Sequence, residues 1–96
     1  MATPAKRRLL ATIQVVRPGN ALVSIQHFGY AGCIERRGIE HYEAIHNGTF
    51  VGRAARYSSA ARLLARHHGL RKKHTITVRI VRSIVGPRGA SRARRG

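Results

Sequence analysis

The chain has 96 residues and a mass of 10.6 kDa, enough for one small domain. Nineteen Lys and Arg stand against three Glu, giving +16 and a pI near 12.0, while 43% of residues are hydrophobic, too many for general disorder. These figures weigh against an enclosed substrate pocket and a carboxylate cage for a hard cation. A single cysteine excludes an internal disulfide. No apolar run approaches the roughly 18 residues that span a bilayer, so the expected setting is cytoplasmic, among nucleoid or ribonucleoprotein material.

Residues 1–8, with Lys6, Arg7 and Arg8 after Pro4, read as a basic N-terminal arm. From Leu9 the pattern alternates through Ala11, Ile13 and Val15. Arg17-Pro18-Gly19-Asn20 is turn chemistry, and Ala21, Val23 and Ile25 resume the alternation, which predicts a β-hairpin. Residues 28–32 read as a glycine-punctuated connection and Cys33–Arg36 as a short strand. Ile39–His46 and Phe50–Tyr57 flank Asn47-Gly48, the dipeptide suited to a tight hairpin, with Thr49 assignable to turn or strand.

Ser58 or Ser59 offers an N-cap for a helix. Ala60, Leu63, Leu64 and His67 recur on its apolar face, Arg62 and Arg66 share the solvated face, and Gly69 stops it. Arg71-Lys72-Lys73 reads as a basic loop and His74–Arg82 as a further alternating strand. Residues 86–96, with Arg92, Arg94 and Arg95, read as a basic flexible tail. The expectation is an α+β fold spanning residues 9–85, with a mainly antiparallel sheet packed on one helix. The other sheet face is left open, with Arg53 and Arg79 candidates for it, and an uncovered sheet edge suits homodimerisation.

No constellation in the sequence carries catalysis, and no cofactor or metal is implied. His41 and His46 are five apart on a strand and face opposite ways, and the adjacent His67 and His68 diverge by about 100° on a helix. No Cys or His spacing of a metal motif occurs. His67 is expected to be packed or partly buried, and His68 and His74 to lie near phosphates or at the surface. Glu35, Glu40 and Glu43 form the only acidic cluster, expected to pair with neighbouring arginines across strands. The aromatics Phe28, Tyr30, Tyr42, Phe50 and Tyr57 are expected mainly in the core.

Residues 32–69 resemble a known family. They run Gly32-Cys33-Ile34-Glu35-Arg36-Arg37-Gly38, Tyr42-Glu43-Ala44, Asn47-Gly48, Arg53 to Tyr57, and Ser58-Ser59-Ala60-Ala61-Arg62-Leu63-Leu64-Ala65. This succession is similar to the arm-site DNA-binding domain of phage-type tyrosine integrases. It departs from that family in lacking a helix tryptophan and an acid ahead of the helix alanine. The resemblance implies a three-stranded sheet lying in the DNA major groove, backed by the helix. Arg36, Arg53 and Arg56 would then face the groove, with Lys72 and Lys73 near phosphates.

Sixteen of the nineteen cations are arginine, whose planar fork suits phosphate and guanine edges. Self-repulsion at +16 disfavours a folded state without counter-charge, which points to a polyanionic partner. The expected function is therefore non-enzymatic nucleic-acid binding, of a phage or mobile-element type, with duplex DNA favoured. The contact residues are expected among Lys6, Arg7, Arg8, Arg36, Arg53, Arg56, Arg62, Arg66, Arg71, Lys72, Lys73, Arg79, Arg92, Arg94 and Arg95. The alternatives are an RNA- or ribonucleoprotein-associated protein and a module that meets an acidic protein surface.

Overall fold

In a computed structural model of the chain, described over residues 7–82, the first five strands form a meander. They are β1 (Arg7–Arg17), β2 (Asn20–Ile25), β3 (Gly29–Gly38), β4 (His41–His46) and β5 (Thr49–Ala54). Helix α1 (Tyr57–His67) follows, then a short 3₁₀ turn at Leu70–Lys72, then β6 (His74–Arg82). The six strands make one sheet in the order β5-β4-β3-β2-β1-β6. The α1 connection carries the chain from one sheet edge to the other, so β6 lies parallel to β1 while every other pairing is antiparallel. This is the α+β architecture expected. Among the described residues its edge strands are β5 and β6. No helix among the described residues is long and apolar enough to cross a membrane.

Alternation decides which face is buried. Ala11, Ile13 and Val15 of β1 stand level with Ile25, Val23 and Ala21 of β2, Leu9 with Ile76 of β6, and Ala21 with Ile34 and Ala44 in β3 and β4. All are buried. Against them lies α1, through Tyr57, Ala60, Ala61, Leu64 and Ala65. Three alanines on this face bring the helix close to the strands. Two glycines complete the fit, because a Cβ on Gly32 would stand 2.8 Å from Leu64 Cδ2, and one on Gly52 would stand 3.0 Å from Leu63 Cδ1. The two leucines therefore occupy seats that glycine leaves open in β3 and β5.

Pairing irregularities occur at Val15/Arg17, Val23/Ser24, Arg36/Gly38 and Ala44/Ile45. Each such irregularity bends a strand and adds right-handed twist. Helix α1 packs mostly on β4 and β5 and also reaches β3, β6 and β1.

Several expectations are corrected. Arg7 and Arg8 belong to β1, paired with His74 and Thr75, and not to an arm. Residues 29–32, expected as a connection, are the first part of a ten-residue β3. The offset at Ala31 and Gly32, both buried, breaks the alternation that would have revealed the strand. Residues 39 and 40 form a turn ahead of β4, and β5 ends at Ala54. Thr49 belongs to the strand. Asn47 and Gly48 both have positive φ, 52° and 79°, as a two-residue turn of this hand requires.

Helix α1 starts before the serines. Arg56 is its N-cap residue, in extended conformation and without a side-chain cap, so Ser58 and Ser59 lie inside the first turn. Its C-terminus closes as expected at Gly69, whose φ of 76° is left-handed. Lys6, Arg92, Arg94 and Arg95, the rest of the expected arm and tail, and residues 83–85 lie outside the described residues.

Candidate nucleic-acid interface

A meander returns every second strand end to the same place. At one end of the sheet stand the start of β1, the β2–β3 turn, the β4–β5 turn, the C-terminus of α1, the 3₁₀ turn and the start of β6. We call this the helix-C-terminal pole. It gathers Arg7, Arg8, Arg66, Arg71, Lys72 and Lys73, all exposed. It also gathers five of the six histidines, at positions 27, 46, 67, 68 and 74. No acidic residue lies there.

The opposite pole has the β1–β2 and β3–β4 turns and the N-terminus of α1. Its cations are Arg17, Arg36, Arg37, Arg53, Arg56 and Arg82, and with them are Glu35, Glu40 and Glu43, the only acids of the chain. Arg37 bridges two of these, with its guanidinium 2.6 Å from Glu35 and 3.0 Å from Glu43. His41 approaches Glu43 at 3.4 Å. The Arg37 hydrogen bond holds the Glu43 carboxyl below its ordinary range, and the same contact raises the Arg37 guanidinium. The expected cross-strand pairing with arginine is present for Glu43; Glu35 meets Arg37 within β3, and Glu40 makes no ion pair among the described residues. The consequence of the pairing is electrical, since the acids offset cations at one pole and none at the other.

Two hollows shape the helix-C-terminal pole. One, of 340 Å³, is lined by Arg66, Gly69, Arg71 and Lys72. The other, of 360 Å³, runs between the β1 start and the β2–β3 turn, with Arg7, Arg8, His27, Phe28 and His74 among its walls. Phe28 is 44% exposed and its ring lies 4.6 Å from that of His68. His68 Nε2 is 2.8 Å from Ala31 O, and His74 Nδ1 is 3.0 Å from Leu70 O, each the geometry of a ring N–H donated to a carbonyl. These contacts hold the aromatic rim in place. The negative end of the α1 macrodipole also points here, but it amounts to about half a charge against six cations.

The remaining candidates scatter. Arg53 on β5 and Arg79 on β6 do lie on the open sheet face, level with Glu43 and Thr12 respectively, but at its two opposite edges. Between them that face carries Leu10, Thr12, Leu22, Ser24, Tyr30, Cys33 and Ile45, so its centre is neutral. Arg36 is on the helix side of β3, with its guanidinium carbon 5.8 Å from the Tyr42 ring centroid. This corrects the groove-facing position that the integrase resemblance implies for it. Arg56 caps α1 and is not on a strand. Arg62 is half-buried, 3.5 Å from Ile76 O, and not on a freely solvated face.

Two expectations about histidine also change. His67 is exposed, not packed. His46, His67 and His68 converge, because β4 ends beside the helix terminus and His68 has left helical geometry (φ −88°, ψ 5°). The aromatics divide: Tyr57 is buried against Tyr42 at 4.7 Å, whereas Phe28, Tyr30 and Phe50 are exposed. Comparison with known proteins finds no matching family model, no matching curated protein and no matching solved structure.

Proposed function

We propose that the chain binds nucleic acid, duplex DNA first, through the helix-C-terminal pole. What supports this reading is the segregation of charge: among the described residues, six exposed cations and five histidines share one end of the molecule with no carboxylate side chain. Phosphate neutralisation with counterion release would supply most of the affinity. The sheet-in-groove mode of the integrase-like domains is less well supported, because the face opposite the helix is neutral in the middle, and Glu35 and Glu43 offset Arg37 and Arg53 on it.

The test compares two variants of equal net charge. One carries Arg66→Gln, Arg71→Gln, Lys72→Gln and Lys73→Gln. The other carries Arg17→Gln, Arg53→Gln, Arg56→Gln and Arg82→Gln. Binding to a fluorescent duplex is measured by anisotropy across a salt series. Each lost phosphate contact removes about 0.9 from the slope of log K against log salt, so the first variant should lose about 3.6 and the second under 1. Equal losses would reject the assignment of the pole. Absence of binding to any nucleic acid below about 10 µM in 100 mM salt would reject the function, since nonspecific binders already reach this range.

One observation favours RNA as a second reading. An exposed phenyl ring beside a basic hollow suits stacking on an unpaired base, worth about 1–3 kcal/mol. Under that reading Phe28→Ala weakens an RNA hairpin with a single-stranded loop by this amount and leaves duplex binding nearly unchanged.

A further inference from the structure

The three histidines at the helix-C-terminal pole do more than add partial charge. One ring nitrogen from each of His46, His67 and His68 lies within 4.8 Å of the other two. Ring centroids are 5.4 Å apart for His46 and His67, 4.6 Å for His46 and His68, and 5.0 Å for His67 and His68. Nitrogens bound to one tetrahedral zinc at 2.0–2.1 Å stand about 3.3 Å apart, so small rotations of side chains at the surface would close the set. His46 and His68 are half-buried and His67 is exposed, which gives the cluster a fixed base and an open mouth.

A second observation concerns orientation. Histidines that ligate metals commonly donate their other ring N–H to a carbonyl or carboxylate, which fixes the tautomer. His68 has that arrangement: Nε2 faces Ala31 O at 2.8 Å, leaving the lone pair on Nδ1. Phe28 packs against the same ring and limits its rotation.

We propose that His46, His67 and His68 form a binding site for one divalent transition metal of the zinc class, with three imidazole ligands and a fourth position open to solvent. Three nitrogens without thiolate or carboxylate suit zinc, copper(II), nickel or cobalt and not magnesium or calcium. No His, Cys, Asp or Glu occurs in residues 1–6 or 83–96, so those segments bring no further ligand of these types. The cations Arg66, Arg71 and Lys72 at the same pole oppose a dication, and their exposure to water weakens that repulsion.

The experiment uses the full, tag-free chain, freed of nucleic acid by nuclease and high salt, and titrated with zinc at pH 7.5. One equivalent should bind, and His46→Gln, His67→Gln and His68→Gln should each weaken binding at least tenfold. His27→Gln and His41→Gln should not. Cobalt(II) bound at the site should give the intense visible bands of a four-coordinate ion, lost in the triple variant. Zinc should raise the melting temperature of the native chain and leave that of the triple variant unmoved. His67 is exposed, so His67→Gln keeps the test valid if the other two variants fold poorly. No zinc binding by the native chain, or binding unchanged in His67→Gln, would overturn the proposal.

Discussion

Replacing Gly32 by alanine tests the seat on which the helix rests. The added Cβ would stand 2.6 Å from Ile45 O and 2.8 Å from Leu64 Cδ2, and Gly32 has φ of +144°, a conformation that L side chains rarely adopt. The backbone contribution is about 1–3 kcal/mol, and overpacking adds about 1–3 kcal/mol. A loss of roughly 2–6 kcal/mol follows, a large part of the roughly 5–15 kcal/mol that holds a domain together. Gly48→Ala provides the control, because it has φ of +79° with nothing within 4 Å of the new Cβ. It should lose only the backbone part. Urea unfolding followed by circular dichroism reads both values. Adding Leu64→Ala to Gly32→Ala should recover little, because Ile45 O is a backbone atom and cannot move away as a leucine methyl can. Equal losses for Gly32→Ala and Gly48→Ala would refute the claim that close approach, and not backbone conformation alone, requires glycine in β3.

Further outcomes follow from the titrating groups. The lowered Glu43 contributes stability that is complete above the ordinary carboxylate range and disappears as pH falls through its folded value, so acid unfolding should begin at higher pH in Arg37→Gln than in the native chain. The lowered His46 favours the fold above about pH 6.5, and its contribution falls away as pH drops below that, so His46→Gln should flatten the pH dependence of the melting temperature between about pH 5 and 7. Burial, then the Glu35 charge, raises the Cys33 thiol, so alkylation by iodoacetamide at pH 7.5 should run slower than for a free thiol; an equal rate would contradict the half-buried position.

Much of the fold could be read from local chemistry. Arg17-Pro18-Gly19-Asn20 and Asn47-Gly48 give the two hairpin turns, and the alternation of β1, β2 and β6 marks the buried face. β3 escaped because its offset at Ala31 and Gly32 hides the period of two. The helix start escaped because Tyr57, not serine, opens it, anchored by burial against Tyr42 in place of a cap. The charged pole was visible only as parts. Arg7, Phe28, His46 and Arg71 are brought together by strand pairing over tens of residues, and no local pattern records that. The histidine cluster is hidden for the same reason: His67 and His68 diverge only while His68 stays helical, and residue spacing does not record that β4 ends beside them.

The most direct measurement of the central claim is a backbone amide NMR titration of the chain with a short DNA duplex. Binding at the helix-C-terminal pole should give the largest shift changes at Arg7, Arg8, His27, Phe28 and residues 66–74, with little change at Arg17–Asn20, Arg36–His41 and Arg56. Changes concentrated on the β1–β2 and β3–β4 turns, or on the open face at Leu22, Cys33 and Ile45, would contradict it.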